Sequence, residues 1–183
     1  MDLLPLLTCR LLTASSYAWR QLTDADVDAR LPSPALHGAA LGGVITVLTM
    51  LGAMIGLRPN LHFSDAVRAA LAAIGSSVGA SALALLVVPA WLRGLHVAQK
   101  PALRYASTTA LPLAVSGGCV LLPHLATSLI AIALLGALAY LSGLRGAAMF
   151  LSLQGSEKTR AAALASLAPT LPALLLAPLH AVR

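Results

Sequence analysis

The sequence is short of charged and aromatic residues. Charged residues make up 10% of its 183 positions and aromatic residues 4%, whereas 58% are hydrophobic. A soluble domain of average composition has about a quarter of its residues charged. Together with a mean hydropathy of +0.87, this shortage argues against a soluble domain and predicts an integral membrane protein. Helices keep their backbone hydrogen bonds within the segment that crosses the lipid, so the predicted fold class is all-α.

Residues that bind metals or form disulfides are few and scattered. The two cysteines, Cys9 and Cys119, lie in different predicted elements and offer neither a redox pair nor a zinc cluster. The five histidines lie near the ends of predicted spans, and no two of them have the spacing of metal ligands. The acidic segment 24–28 lacks the glycine and the distal glutamate of a calcium loop. We therefore expect no metal and no cofactor.

What the sequence has instead is a series of five apolar stretches. Each is long enough, at about 1.5 Å rise per residue, to cross much or all of the roughly 30 Å hydrocarbon core. We predict one membrane domain over 1–183, with an interfacial helix and acidic linker over 1–30 and a five-helix bundle over about 35–182. Pro169, Pro172 and Pro178 predict that the last span is irregular or short. The predicted spans are 35–57, 66–92, 105–122, 125–151 and 161–182.

The positions of the basic residues predict the orientation of the bundle. The positive-inside rule favours a cytoplasmic N-terminus and an external C-terminus. The expected location is a bacterial inner membrane. A re-entrant fifth segment would instead return the C-terminus to the cytoplasm. Because the basic residues occur in ones and twos, the net charge of +6 does not indicate nucleic-acid binding. Nine of the twelve Lys and Arg residues fall on the predicted cytoplasmic side: Arg10, Arg20, Arg30, Arg93, Lys100, Arg104, Arg145, Lys158 and Arg160.

The N-terminal segment has the pattern of an amphipathic helix, since apolar residues recur at helical spacing from Leu4 to Leu22. We predict that this helix lies on the cytoplasmic leaflet. Trp19 is expected at the headgroup level, with Arg10 and Arg20 close to anionic lipid. A helix packed on the bundle is the alternative.

Pairs of glycines spaced four residues apart predict close helix packing. Each pair lies on one helix face and lets two backbones approach closely. The contact is either internal or joins two copies of the chain. The pairs are Gly38 and Gly42, Gly52 and Gly56, and Gly75 and Gly79.

Enzymatic and transport functions have weaker support in the sequence. The segment 75–79 matches the G-x-S-x-G string of serine hydrolases, but that nucleophile needs a sharp strand-to-helix turn and here lies in an apolar helix. Transporters usually carry ionisable residues at mid-membrane depth. No predicted span has a central Asp, Glu or Lys, and Arg145 can reach the interface from the fourth span. We predict no enzyme, with a small transporter or lipid-translocating protein as the alternative and an intramembrane serine hydrolase as a third possibility.

Several residues follow an order found in one family of membrane proteins. Thr13 and Trp19 stand six residues apart in the N-terminal segment, ahead of the five spans. From Lys100 onward the residues in order are Tyr105, Ser107, Thr108, Thr109, Pro112, Pro123, Tyr140, Gly143 and Lys158. This order resembles that of the Yip family, the membrane proteins with a Ypt-interacting-protein domain, in its bacterial form.

The resemblance to Yip proteins implies an architecture and a class of role. The Asp-Leu-Tyr-Gly-Pro motif of eukaryotic members is absent, so binding of a Rab GTPase is not implied. Implied instead are five spans, a cytoplasmic N-terminus, no catalytic residues, and a role in organising membrane or partner proteins, often as an oligomer.

A non-enzymatic protein of this kind would bind membrane lipids, a protein partner or a second copy of itself. We expect the contact face to be cytoplasmic and to combine positive charge with an aromatic anchor. The candidate contact residues are Arg10, Trp19, Arg20, Arg93, Lys100, Arg104, Lys158 and Arg160.

Overall fold

A computed structural model of the chain describes residues 19–20, 63–114, 119 and 125–181. Its four helices are α1 (Phe63–Arg93), α2 (Gln99–Ala114), α3 (Leu125–Met149) and α4 (Gly155–Ala181). The described part of the chain is all-helical, as the composition predicts. The first predicted span, the acidic segment and nearly all of the N-terminal segment lie outside the described residues.

Three of these helices are long and apolar enough to cross a membrane. They are α1 over Leu71–Arg93, the whole of α3, and α4 over Gly155–Leu176. At about 1.5 Å per residue, segments of this length extend for more than the roughly 30 Å hydrocarbon core. The described helices therefore indicate an integral membrane protein.

The four helices form an antiparallel bundle in which α4 contacts each of the other three. On α1, Gly75 faces Leu176 and Gly79 faces Pro172, so α4 runs antiparallel to α1. On α3, Gly136 faces Thr170 and Gly143 faces Ala162, so α4 is antiparallel to α3 as well. Both short connections, residues 94–98 and residues 150–154, consequently lie at the same end of the bundle. We call this end the loop end.

The distribution of side chains is that of a bundle surrounded by lipid. Large aliphatic side chains point outward from α1, α3 and α4. Leu86 on α1 is 69% exposed and Leu175 on α4 is 70% exposed. The buried hydrophobic positions are mostly alanines, and several buried positions are serine or threonine. Small residues let helices approach closely where lipid supplies no hydrophobic force between them. The described bundle therefore packs through small residues and presents leucine to the membrane.

Helix α2 differs from the other three because it is short, relatively polar and enclosed. It has 16 residues, and no described side chain from Pro101 to Leu113 is exposed. It contacts α1, α3 and α4. Its start, at Gln99, lies six residues before the predicted start of the third span. The polar residues at its beginning look like a loop in the sequence. Gln99 and Lys100 are exposed, whereas Arg104 is covered by the neighbouring helices.

The prediction that the last span is irregular or short is wrong. Helix α4 runs without interruption from Gly155 to Ala181 through all three prolines. A proline removes one backbone hydrogen bond, but α4 is held along its length by α1, α2 and α3. Pro169 is fully buried, and the ring of Pro172 packs against Gly79. Packing by neighbouring helices is what allows prolines inside membrane helices.

The shared position of the two connections predicts a labelling pattern. In a chain carrying Cys9→Ser and Cys119→Ala, the single substitutions Ala98→Cys and Gln154→Cys should react with a membrane-impermeant maleimide from the same side of the membrane. Both positions are exposed and lie at the loop end. Ala126→Cys, exposed near the start of α3, should react only from the opposite side. Labelling of positions 98 and 154 from opposite sides would contradict the bundle.

Candidate functional site

Trp19 is the centre of a buried cluster at the loop end. Its side chain is 0% exposed, and its indole Nε1–H donates a hydrogen bond to the Ser142 hydroxyl at 3.2 Å. The ring centroid lies 5.9 Å from that of Tyr105 and 6.0 Å from that of Phe150. Aromatic pairs at such distances and tilts are attractive beyond the area they bury. Trp19 thus packs against both α2 and α3.

Two glycines of α3 provide the space for this cluster. A Cβ on Gly146 would lie 2.5 Å from Cζ2 of Trp19, so no other residue fits there without moving the indole. A Cβ on Gly143 would lie 3.2 Å from both the Tyr105 hydroxyl and the Ala162 Cα. The Tyr105 hydroxyl donates to the Gly143 carbonyl at 3.0 Å. Trp19, Tyr105, Ser142, Gly143 and Gly146 form what we call the Trp19 cluster.

The side chain of Trp19 is buried inside the bundle, so it is not exposed on a contact face. Ser142 accepts the hydrogen bond of the indole, and this partner removes the main cost of burying its N–H group. Trp19 and Arg20 are both helical, and Arg20 is exposed. The rest of the predicted amphipathic helix, including Arg10, lies outside the described residues.

The other candidate contact residues divide into an exposed and a buried group. Arg104 is only 5% exposed, so it belongs to the interior of the bundle rather than to a contact face. Among the described residues at the loop end, Glu157 is the one acidic residue. The exposed or half-buried cations of this end form what we call the basic face: Arg20, Arg93, Lys100, Arg145, Lys158 and Arg160.

The predicted packing glycines lie only partly within the described residues. Gly38, Gly42, Gly52 and Gly56 lie outside them. A Cβ on Gly79 would approach the Pro172 ring to 3.2 Å, whereas a Cβ on Gly75 would meet Leu176 at an ordinary 3.8 Å. Of these two glycines, only Gly79 is at a close helix contact.

Sequence analysis missed three close glycine contacts on α3, including the tightest one, which is at Gly146. Gly136, Gly143 and Gly146 face Thr170, Ala162 and Trp19, respectively. These glycines are seven and three residues apart, so they share a helix face. A search for small residues at spacings of three, four and seven, rather than four alone, would have detected this face.

Several buried hydroxyl groups donate hydrogen bonds to backbone carbonyls of their own helix. Thr109 donates to the carbonyls of Tyr105 and Ala106, Ser166 to that of Ala163, and Thr170 to that of Leu167. Ser77, the serine of the hydrolase-like string, lies buried in the middle of α1. It is therefore not on the turn that a hydrolase nucleophile requires.

The close approach at Gly146 predicts a strong effect of one added methyl group. Gly146→Ala should lower the free energy of unfolding by about 1–3 kcal/mol, because the methyl group overlaps the Trp19 ring. Gly75→Ala is the matched control, since its methyl group has room and alanine favours the helix by up to about 1 kcal/mol. Unfolding in mixed detergent micelles measures both. Equal tolerance of the two substitutions would show that the indole does not pack on Gly146.

The hydrogen bond between Trp19 and Ser142 predicts an energetic coupling between them. In a double-mutant cycle, Trp19→Phe and Ser142→Ala should show a coupling of about 0.6 kcal/mol, and at most about 1.7 kcal/mol. The control cycle pairs Trp19→Phe with Ser81→Ala, because the Ser81 hydroxyl donates to the Ser77 carbonyl of its own helix. Here the two effects should add. A coupling of similar size in both cycles would contradict a specific bond.

Protein-family models, curated proteins and solved structures were compared with the chain, and none of them matches it. The roles of the Trp19 cluster and the basic face are therefore inferred from their contacts, burial and charge.

Proposed function

We propose that this chain is a non-enzymatic, membrane-organising or complex-associated protein that binds a protein partner or anionic lipid through its basic face. The observation that supports this proposal most strongly is the collection of exposed cations at one end of the bundle, beside a single described acidic residue. The Trp19 cluster lies at the same end. It fixes Trp19, the neighbour of Arg20 in the sequence, at this end.

Electrostatics gives the basic face a physical role. Each Lys or Arg near an anionic membrane surface contributes about 1 kcal/mol of attraction, and complementary charge also raises the rate of protein association. The cations at this end come from Arg20, from the ends of α1 and α3, and from the starts of α2 and α4. They are spread over several elements of the bundle, so one partner surface can contact many of them only while the bundle is folded.

The positive-inside rule supports placing the basic face in the cytoplasm. In this proposal, the chain has five spans, a cytoplasmic N-terminus and an external C-terminus, and it lies in a bacterial inner membrane. The proposal includes membership of the Yip family, on the order of residues from Lys100 to Lys158. It also includes a homo-oligomer or a protein partner, as is frequent in that family.

The rival function is a small transporter or lipid-translocating protein. A transport path needs polar groups that can contact the transported species. The hydroxyls of Thr109, Ser166 and Thr170 are instead bonded to their own helix backbones. This arrangement supports a packed scaffold over a polar path. The mid-helix position of Ser77 likewise disfavours an intramembrane hydrolase.

Reversal of charge on the basic face tests the proposed function. The triple variant Arg93→Glu, Lys100→Glu and Arg160→Glu should lose the protein or anionic lipid that accompanies the wild type, because all three side chains are exposed at the loop end. The measurement is mass spectrometry of the chain and its companions after extraction from the source membrane into native nanodiscs.

The matched control for this experiment is Arg68→Glu. Arg68 is exposed near the start of α1, away from the loop end, and its reversal should leave the companions in place. Retention of the same companions by the triple variant would contradict the proposed function. Thermal unfolding of each variant in detergent shows whether a lost companion reflects a lost contact or an unfolded bundle.

A further inference from the structure

A groove runs along the outer side of the bundle between α3 and α4. Its volume is about 450 Å³, which lies within the range of about 300–1,000 Å³ usual for ligand sites. Gly136 and small neighbouring residues form its floor, while exposed leucines such as Leu134 and Leu171 stand on the flanking helix faces. The groove therefore opens toward the membrane.

The length of the groove corresponds to one leaflet of a bilayer. On α3 the lining runs from Ile132 to Tyr140 and on α4 from Ala163 to Leu174, which at about 1.5 Å per residue is roughly 12 Å and 16 Å. Half of the hydrocarbon core is about 15 Å thick. A second membrane-spanning helix would be about twice as long as the groove. An acyl chain from a single leaflet fits its length.

The lining of the groove is chemically suited to a hydrocarbon chain. It is made almost entirely of aliphatic and small side chains. Its two aliphatic hydroxyl groups, those of Ser166 and Thr170, already donate to backbone carbonyls of α4. An acyl chain lying there leaves neither of these two hydroxyls without a partner, and each buried methylene group favours binding.

Among the described residues of α3 and α4, the cations all lie toward the loop end of the groove. Tyr140 and Ala163 line the groove at the end closer to the loop end. Arg160 precedes Ala163 by three residues on α4 and is exposed, so it lies about 60° around the helix from Ala163 and one turn closer to the loop end. Glu157 is turned about 120° away from Ala163. The charge at the end of the groove therefore matches an anionic headgroup.

We propose that the groove between α3 and α4 binds one acyl chain of an anionic phospholipid from the leaflet at the loop end, with the headgroup phosphate at Arg160. This site is separate from protein binding by the rest of the basic face. It assigns a structural lipid to a defined position on the bundle.

Photocrosslinking in nanodiscs tests this proposal. The probes are phosphatidylglycerol and phosphatidylcholine that carry the same photoactivatable group in the acyl chain, each in an otherwise identical bilayer. In the wild type, phosphatidylglycerol should label the groove residues of α3 and α4 more than any other described helix face. Arg160→Gln should lower the excess of phosphatidylglycerol over phosphatidylcholine about fivefold.

A substitution that fills the groove provides the second arm of the test. Ala137→Trp places a large ring into the groove lining and should lower labelling about tenfold, because it displaces at least two methylene groups of the chain. The matched control, Ala82→Trp, adds the same ring at an exposed position of α1 and should leave labelling unchanged.

Three results would each overturn the proposal. One is equal labelling by the two lipids in the wild type, since the headgroup would then not be recognised. Another is labelling spread evenly over the exposed faces of α1, α3 and α4. The third is a crosslink that joins a groove residue to a second copy of the chain or to residues 35–57. The occupant of the groove would then be a helix rather than a lipid.

Discussion

The enclosure of α2 is the constraint on which the rest of the described bundle depends. This helix carries Arg104, Tyr105, Thr108 and Thr109 within two turns, and these polar side chains are too costly to expose to hydrocarbon. They are buried because α1, α3 and α4 surround them. The three apolar helices in turn present leucine outward and small residues inward. The protein thus uses lipid-compatible helices to hold a polar helix away from the lipid.

Close packing around α2 also explains the contacts at the loop end. The Tyr105 hydroxyl reaches the Gly143 carbonyl, and the absence of a side chain at Gly146 leaves room for Trp19. Trp19 is therefore buried at the same end of the bundle that carries the basic face. The groove between α3 and α4 begins on that side as well, and it connects the charged end with the apolar surface of the bundle.

Hydropathy was sufficient to predict the elements that face lipid. The predicted spans 66–92 and 125–151 lie within three residues of α1 and α3 at each end. The starts of α2 and α4 were each predicted six residues too late, because Gln99 to Arg104 and Gly155 to Arg160 are polar and resemble loops. Both segments are nevertheless helical. Gln99, Lys100 and most residues from Gly155 to Arg160 are exposed at the loop end, whereas Arg104 is buried against the neighbouring helices. The continuity of α4 through its prolines depends on packing, which hydropathy does not contain.

Less of the candidate site could be predicted from the sequence. The exposure of Arg93, Lys100 and Arg160 follows from their position between apolar stretches. The burial of Trp19 depends on Ser142, which is 123 residues away, and on the missing side chain at Gly146. Such a long-range contact leaves no periodic pattern around Trp19 itself. Arg104 was similarly assigned to a surface because its charge suggested one, whereas α2 is enclosed.

The most direct test of this account is footprinting with a membrane-soluble carbene reagent, read residue by residue by mass spectrometry of the protein in a bilayer. We expect strong labelling of outward leucines such as Leu86, Leu134 and Leu175, and little labelling of α2 from Pro101 to Leu113. Labelling of α2 as strong as that of the outward leucines would show that this helix faces lipid, and the enclosure that organises the bundle would be wrong.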